Sequence, residues 1–140
     1  ADEIDYVVNL TKLKAGDTAY IESEMARITD ICREFSVVSK VIFENCYLTE
    51  DEKKTLCHIA TKVKPDFIKT STGFGTGGAT FEYVALMKRE TEGSGVKIKA
   101  AGGIRTLKTA LEMINLGVSR IGSTSSVAIM EEYMANSPLL

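Results

Sequence analysis

Five short runs of branched and apolar residues start near residues 4, 37, 67, 96 and 119, and each is followed by a stretch whose apolar residues recur every three or four positions. A period of two builds strands and a period near 3.6 builds helices, so the pattern reads as five β-then-α units. The starts lie roughly 23 to 33 residues apart, within the range of a repeated supersecondary unit. Alternation of this kind predicts a parallel sheet with right-handed crossovers.

Ile4 to Val8 reads as a buried strand, broken by Asp5 and ending at Asn9. Ile21, Met25, Ile28 and Cys32 fall at steps of three and four, which makes Asp17 to Phe35 an amphipathic helix with Asp17 as its N-cap. Val37 to Phe43 is the second strand. Thr49, with Glu52 three residues on, forms a capping box that opens a helix to about Lys62. The third strand, Phe67 to Thr70, leads through a glycine-rich loop to Thr80, the cap of a helix through Arg89. Gly93, Ser94 and Gly95 turn the chain into a fourth strand, Val96 to Ala100, and Thr106 starts a helix to about Leu116 that Gly117 closes. The fifth strand, Ser119 to Gly122, precedes a last helix over Val127 to Met134 and a frayed end from Ala135 to Leu140.

Two α/β architectures fit this order. One is an open, flavodoxin-like sheet; the other is a partial (β/α)8 TIM barrel of five parallel strands with outer helices. A complete barrel takes about 250 residues, with about 200 as the lower limit, so a length of 140 favours the open sheet. The loops favour the barrel. Ala101 to Gly103 and Gly122 to Ser126 follow the last two strands as small-residue loops, where a barrel builds its phosphate site. Backbone amides there, with a helix N-terminus at Ser125 or Ser126, suit a phosphate dianion. Glycines also serve plain tight turns, but two such loops in consecutive units, with a third at Gly73 to Gly78, point to phosphate.

With 44% hydrophobic and 26% charged residues, the chain has the ordinary composition of one globular domain. A net charge of −2 leaves no basic surplus for nucleic acid, and no apolar run is long enough to cross a membrane. No signal peptide is visible in a chain that begins at Ala1. Cys32, Cys46 and Cys57 are odd in number and lack metal-ligand spacing, which indicates a reducing, cytoplasmic setting. The single histidine, His58, lies in an expected helix, so neither a zinc centre nor a histidine-based triad has the material.

The chemistry concentrates where strands carry charge. Lys69 ends an apolar strand and is followed by small hydroxyl and glycine residues, at the end of a parallel sheet where ligands are held. Partial desolvation there lowers an amine's pKa and makes Lys69 a candidate nucleophile; a strand-end lysine reaching solvent is the plainer alternative. Lys97 and Lys99 share one face of their strand, with Lys99 nearer the carboxyl end and so nearer Lys69, whose pKa a second cation would depress further. Asp5 is placed to accept a proton or to orient Lys99, unless it forms only a register-fixing ion pair. Lys40, in mid-strand, is assigned such a structural role.

DFIKTSTGFG, then KIKAAGGIR about thirty residues on and RIGSTSS after it, resemble the deoxyribose-phosphate aldolase family, and ADEIDYVVN and KVIFEN match its preceding strands. The resemblance covers nearly the whole chain. It implies a class I aldolase that reversibly cleaves 2-deoxy-D-ribose 5-phosphate into acetaldehyde and D-glyceraldehyde 3-phosphate, with no metal and no organic cofactor. By motif, Lys69 is then the Schiff-base lysine, Lys99 the lysine that lowers its pKa, and Asp5 the carboxylate of the proton relay. Gly73, Gly102, Gly103, Thr124 and Ser125 fall on the phosphate-binding loops.

The family has eight strands, and this chain matches it from what looks like the fourth, so residues 1–140 are expected to be the C-terminal portion of one barrel domain. The expected partners are a sugar phosphate and an aldehyde, together with a second copy or a complementing fragment. A catalytically inactive half-barrel that binds phosphate or self-associates is the other expectation.

Overall fold

The structure, a computed structural model, describes residues 1–137. It contains strands β1 (Glu3–Val7), β2 (Val38–Ile42), β3 (Phe67–Lys69), β4 (Lys97–Ala101) and β5 (Arg120–Gly122). The helices are α1 (Leu10–Lys14), α2 (Thr18–Glu34), α3 (Glu50–Val63), α4 (Phe81–Glu90), α5 (Leu107–Asn115) and α6 (Ser126–Asn136). All strand pairs are parallel and stand in sequence order, β1-β2-β3-β4-β5. A flavodoxin-like sheet would place its second strand outside the first, so that alternative is excluded.

The sheet is strongly curled. Neighbouring strands lie about 4.8 Å apart, so a flat sheet would separate β1 from β5 by about 19 Å, beyond the reach of two side chains. Yet Arg120 on β5 donates to the carboxylate of Glu3 on β1, and Lys99 on β4 reaches Asp5 at 3.1 Å. The two edge strands face each other across a concave wall, the curvature of a partial barrel.

Alternation along the strands sorts the side chains. Val41, Phe43, Ile68, Ile98 and Ala100 point outward and are buried under the helices, meeting Ile21 and Met25 of α2, Leu56 and Ala60 of α3, and Val84 and Met87 of α4. The inward rows carry charge. Register aligns Asp5 with Lys40, Ile42 with Lys69, Lys69 with Lys99, and Lys99 with Arg120. Polar residues inside and apolar residues outside is the arrangement of a barrel wall whose helices cover the hydrophobic side.

Helix starts follow their capping chemistry. Asp17, Thr80 and Thr106 accept from backbone amides of the first turn, and Thr49 and Glu52 form the complete capping box. Three expectations need correction. Ile4 to Val8 is not a buried strand: β1 spans Glu3–Val7 at an open sheet edge, and Val7 is 42% exposed. The short helix α1, capped by Asn9, had no counterpart in the sequence reading. The last helix begins one residue earlier and runs on through Asn136, so Ala135 is helical; residues 138–140 of the expected frayed end lie outside the described residues.

Candidate active site

Register puts Lys69 and Lys99 level with Ile42 and Val7, two residues past Asp5 on the same inward row, and the curl of the sheet lets side chains 64 and 94 positions away reach back to Asp5. Lys69 Nζ donates to Asp5 Oδ2 at 2.7 Å, and Lys99 Nζ donates to the same oxygen at 3.1 Å. Lys40 Nζ reaches the other oxygen, Oδ1, at 3.2 Å and Glu3 at 2.5 Å. Lys40, at 3% side-chain exposure, thus forms the buried ion pair with Asp5, its register partner on β1, that a structural role predicts.

Burial pushes the Asp5 carboxyl up, but hydrogen bonds from Lys69, Lys99 and Lys40 outweigh it and hold the group well below the usual carboxylate range. Asp5 is thus a fixed anion between two amines. The inner wall as a whole is cationic: Lys40, Lys69, Lys97, Lys99 and Arg120 face Glu3 and Asp5, a surplus of three positive charges in a chain of net charge −2. Such a concave field attracts an anionic ligand.

A cleft of about 420 Å³ opens beside the lysines, lined by Lys69, Lys99, Thr72, Gly73, Gly102, Gly103, Arg105, Ser123 and Thr124 among others. Its floor is held by a short set of bonds. Thr70 Oγ1 donates to the carbonyl of Ala101 and accepts from its amide, both at 3.1 Å, which locks the end of β3 to the end of β4. The Ala79 amide donates to the carbonyls of Ala101 and Gly102, docking the returning glycine loop on β4. That approach is why residue 78 is glycine: a Cβ there would lie 2.2 Å from the Gly102 carbonyl oxygen. Gly102 and Gly103 themselves have φ of +86° and +77°.

Of the residues expected to hold phosphate, Gly73, Gly102, Gly103 and Thr124 line this cleft. Ser125 does not line it, and its backbone N–H donates to Ser123 Oγ at 2.9 Å. Ser123, which also donates to the Ile104 carbonyl at 2.5 Å, shapes that loop instead. The sequence reading missed Ser123, Arg105 and Glu44. Arg105 follows AGGI directly, and Glu44 is a charge placed immediately after a buried strand at the ligand-holding end, a signal that could have found it. Among the described residues no His, Cys, Asp and Glu side chains cluster as a metal site, and no helix is long and apolar enough to cross a membrane.

A curled parallel sheet with outer helices and charged groups at its strand carboxyl ends defines a barrel-type α/β protein with its site where barrel enzymes carry theirs. The family model of the DeoC/LacD family aldolases matches residues 1–124, and the chain belongs to that family. It is 56% identical over 131 residues to a deoxyribose-phosphate aldolase of Lactobacillus acidophilus, covering 94% of this chain and 55% of that one. It is 50% identical over 131 residues to the enzyme of that name from Thermococcus kodakarensis, covering 94% and 58%. Among solved structures, the aldolase QR15 matches with a TM-score of 0.87 at 43% identity over 96% of this chain and 60% of that one. A deoxyribose phosphate aldolase from Aeropyrum pernix, described as tetrameric, matches with a TM-score of 0.83 at 27% identity over 98% and 57%. The chain thus spans between half and two thirds of the length of these relatives.

Proposed function

We propose that this chain carries the lysine site of a deoxyribose-phosphate aldolase, which cleaves 2-deoxy-D-ribose 5-phosphate reversibly into acetaldehyde and D-glyceraldehyde 3-phosphate. The observation that carries the reading is the single carboxylate oxygen of Asp5 shared by Lys69 and Lys99 beside an open, glycine-lined cleft. Lys69 is the nucleophile, since of the two amines that border the cleft it is the more enclosed, at 11% side-chain exposure against 17% for Lys99. Asp5 stays a carboxylate and orients both amines: Lys69 releases its proton to water, the freed Nζ adds to the C1 carbonyl, and the Lys99 ammonium on the same Asp5 oxygen protonates the departing hydroxyl, so that water leaves and an iminium remains. Breaking the C2–C3 bond moves its electron pair into the iminium, while the C3 hydroxyl proton goes to the Lys99 amine. Protonation of the resulting enamine at C2 and hydrolysis release acetaldehyde and restore the amine.

The phosphate belongs at the far side of the cleft, on the loops of Gly73, Gly102, Gly103 and Thr124, with Arg105 as a flanking cation. Ser125 takes part through the turn it makes with Ser123. The reading needs neither metal nor organic cofactor, and it puts the protein in the cytoplasm, which suits three cysteines that are all free thiols. A second copy is the expected partner, in keeping with the two open sheet edges. An enamine exchanges the methyl protons of acetaldehyde, so proton NMR in D2O tests the reading. Exchange that disappears in Lys69→Arg supports it; exchange equal to that variant's background would sink it. A second reading, phosphate binding or self-association without turnover, is favoured by the glycine loops of the cleft and the open sheet edges, neither of which needs an imine at Lys69, and is the result if phosphate binds but no exchange occurs.

A further inference from the structure

Glu44 is the unexplained group next to this site. It follows β2 directly, is 4% exposed, and adopts a left-handed backbone with φ of +56°. Burying a carboxylate is costly, and the left-handed region is unfavourable for a side chain with a Cβ, so two unfavourable features coincide in one residue. Its partners both belong to Thr72: the backbone N–H donates to Oε1 at 3.1 Å, and the hydroxyl donates to Oε2. Thr72 Oγ1 in turn accepts the Phe74 amide at 3.0 Å. The same loop presses on Glu44 again further on, because a Cβ on Gly75 would lie 3.2 Å from Oε1 and 2.9 Å from Cys46 Sγ.

We infer that Glu44 is a positioning residue whose carboxylate, acting through Thr72, fixes the loop of residues 72–78 as one wall of the anion cleft. Glu44 itself does not line the cleft, whereas Thr72 and Gly73 do. Gly73 has φ of +95° and no contact that would hold it in place through a side chain, so its amide direction is set by its neighbours. Anchoring Thr72 at both its N–H and its hydroxyl, with the hydroxyl also holding the Phe74 amide, brackets Gly73 on either side. Charge-assisted hydrogen bonds are shorter and stronger than neutral ones, which gives the carboxylate a use that a neutral side chain fills less well. A loop so bracketed enters binding already ordered, and ordering a loop at the moment of binding weakens affinity.

The inference rests on the anion reading of the cleft, and a variant separates the two. If Glu44 serves only to turn the chain after β2, glycine should replace it without loss, because glycine takes the left-handed conformation freely. If the carboxylate positions the loop, Glu44→Gly keeps the turn and loses the anchor. We expect Glu44→Gly to unfold cooperatively near the wild-type temperature. Its amides at Thr72 and Phe74, the two that the anchor hydrogen-bonds, should exchange with solvent roughly tenfold faster, and it should bind inorganic phosphate roughly tenfold more weakly, the scale of one charge-assisted hydrogen bond. Acetaldehyde proton exchange should fall by far less than phosphate affinity, and Glu44→Gln, whose one oxygen can accept only one of the two Thr72 donors, should recover only part of both losses. A Glu44→Gly protein with wild-type amide exchange and phosphate affinity would overturn the role of Glu44 alone. A wild-type chain that does not bind phosphate would overturn the inference together with the anion reading beneath it, while methyl exchange at Lys69 would still report on the aldolase chemistry.

Discussion

Among the described residues Asp5 makes the most ion pairs, touching the ammonium groups of Lys40, Lys69 and Lys99 at 3.2, 2.7 and 3.1 Å. Lys40 and Lys69 are buried but Asp5 lies exposed at the open edge, so solvent reduces the loss below the about 3–5 kcal/mol of a fully buried pair. Asp5→Asn should lower stability by about 1–3 kcal/mol, measurable by urea denaturation, whereas Asp30→Asn, in an exposed pair with Arg33, should change it by less than about 1 kcal/mol. The pH dependence has a definite sign. An ordinary unfolded Asp titrates near about 3.9, and Asp5 lies well below this in the folded chain. Its contribution is complete above that value and fades as pH falls beneath it toward the depressed folded pKa. The wild type should lose stability steeply below about pH 4, and Asp5→Asn should lose less over the same interval. Equal acid slopes in the two proteins would contradict the assignment.

At the scale of elements, β3, β4 and their loops show what sequence could and could not convey. The capping residues Asp17, Thr49, Thr80 and Thr106 were readable because a cap is a local contract between a side chain and an amide two or three residues on. Strand order did not follow from the alternation of periods, which fits a flavodoxin-like sheet as well; the small-residue loops after β4 and β5 favoured the barrel order that the sheet has. The exposure of β1 was not readable, since an edge is a property of what lies beside a strand, and its branched residues look the same either way. Helix α1 is five residues long and buries only Leu13, too short to show a period. In the site, the lysines stood out as charges in apolar runs, but the joining of Lys40 to Asp5 and the anchoring of Thr72 by Glu44 depend on register between strands that no single run encodes. The glycines divide in the same way. Gly78→Ala should be severely destabilising, because its Cβ would meet a rigid carbonyl at 2.2 Å, and it should disturb the glycine loop and the Gly102 turn together. Gly16→Ala meets no atom within 4 Å and carries only the conformational cost of φ at +74°, about 1 kcal/mol. Thermal unfolding of both variants checks this, and a Gly78→Ala protein as stable as Gly16→Ala would show that the two loops do not need their close approach.

At the scale of the whole molecule, the curled sheet covers its outer side and leaves both of its edges open. β1 and β5 each pair on one side, and an unpaired strand edge invites another. Beside β5 the outer surface is apolar: Ile121, Leu111 and Ile114 of α5, and Met130 and Tyr133 of α6, line a cleft of about 500 Å³. Ile114 and Met130 are about half exposed, so covering each is worth about 1 kcal/mol. Sedimentation at micromolar concentration should show species heavier than one chain, and replacing both Ile114 and Met130 by lysine should shift the distribution toward one chain. A compact monomer at all concentrations would mean that the edges are tolerated as they stand. The most direct measurement of the central claim is chemical. Acetaldehyde followed by borohydride converts an imine into a stable N-ethyl lysine, and peptide mass mapping locates it. One ethyl group on Lys69, absent in Lys69→Arg and slowed in Asp5→Asn, is the predicted result; label that is missing, or spread over exposed lysines such as Lys108 with none favoured at Lys69, would contradict it.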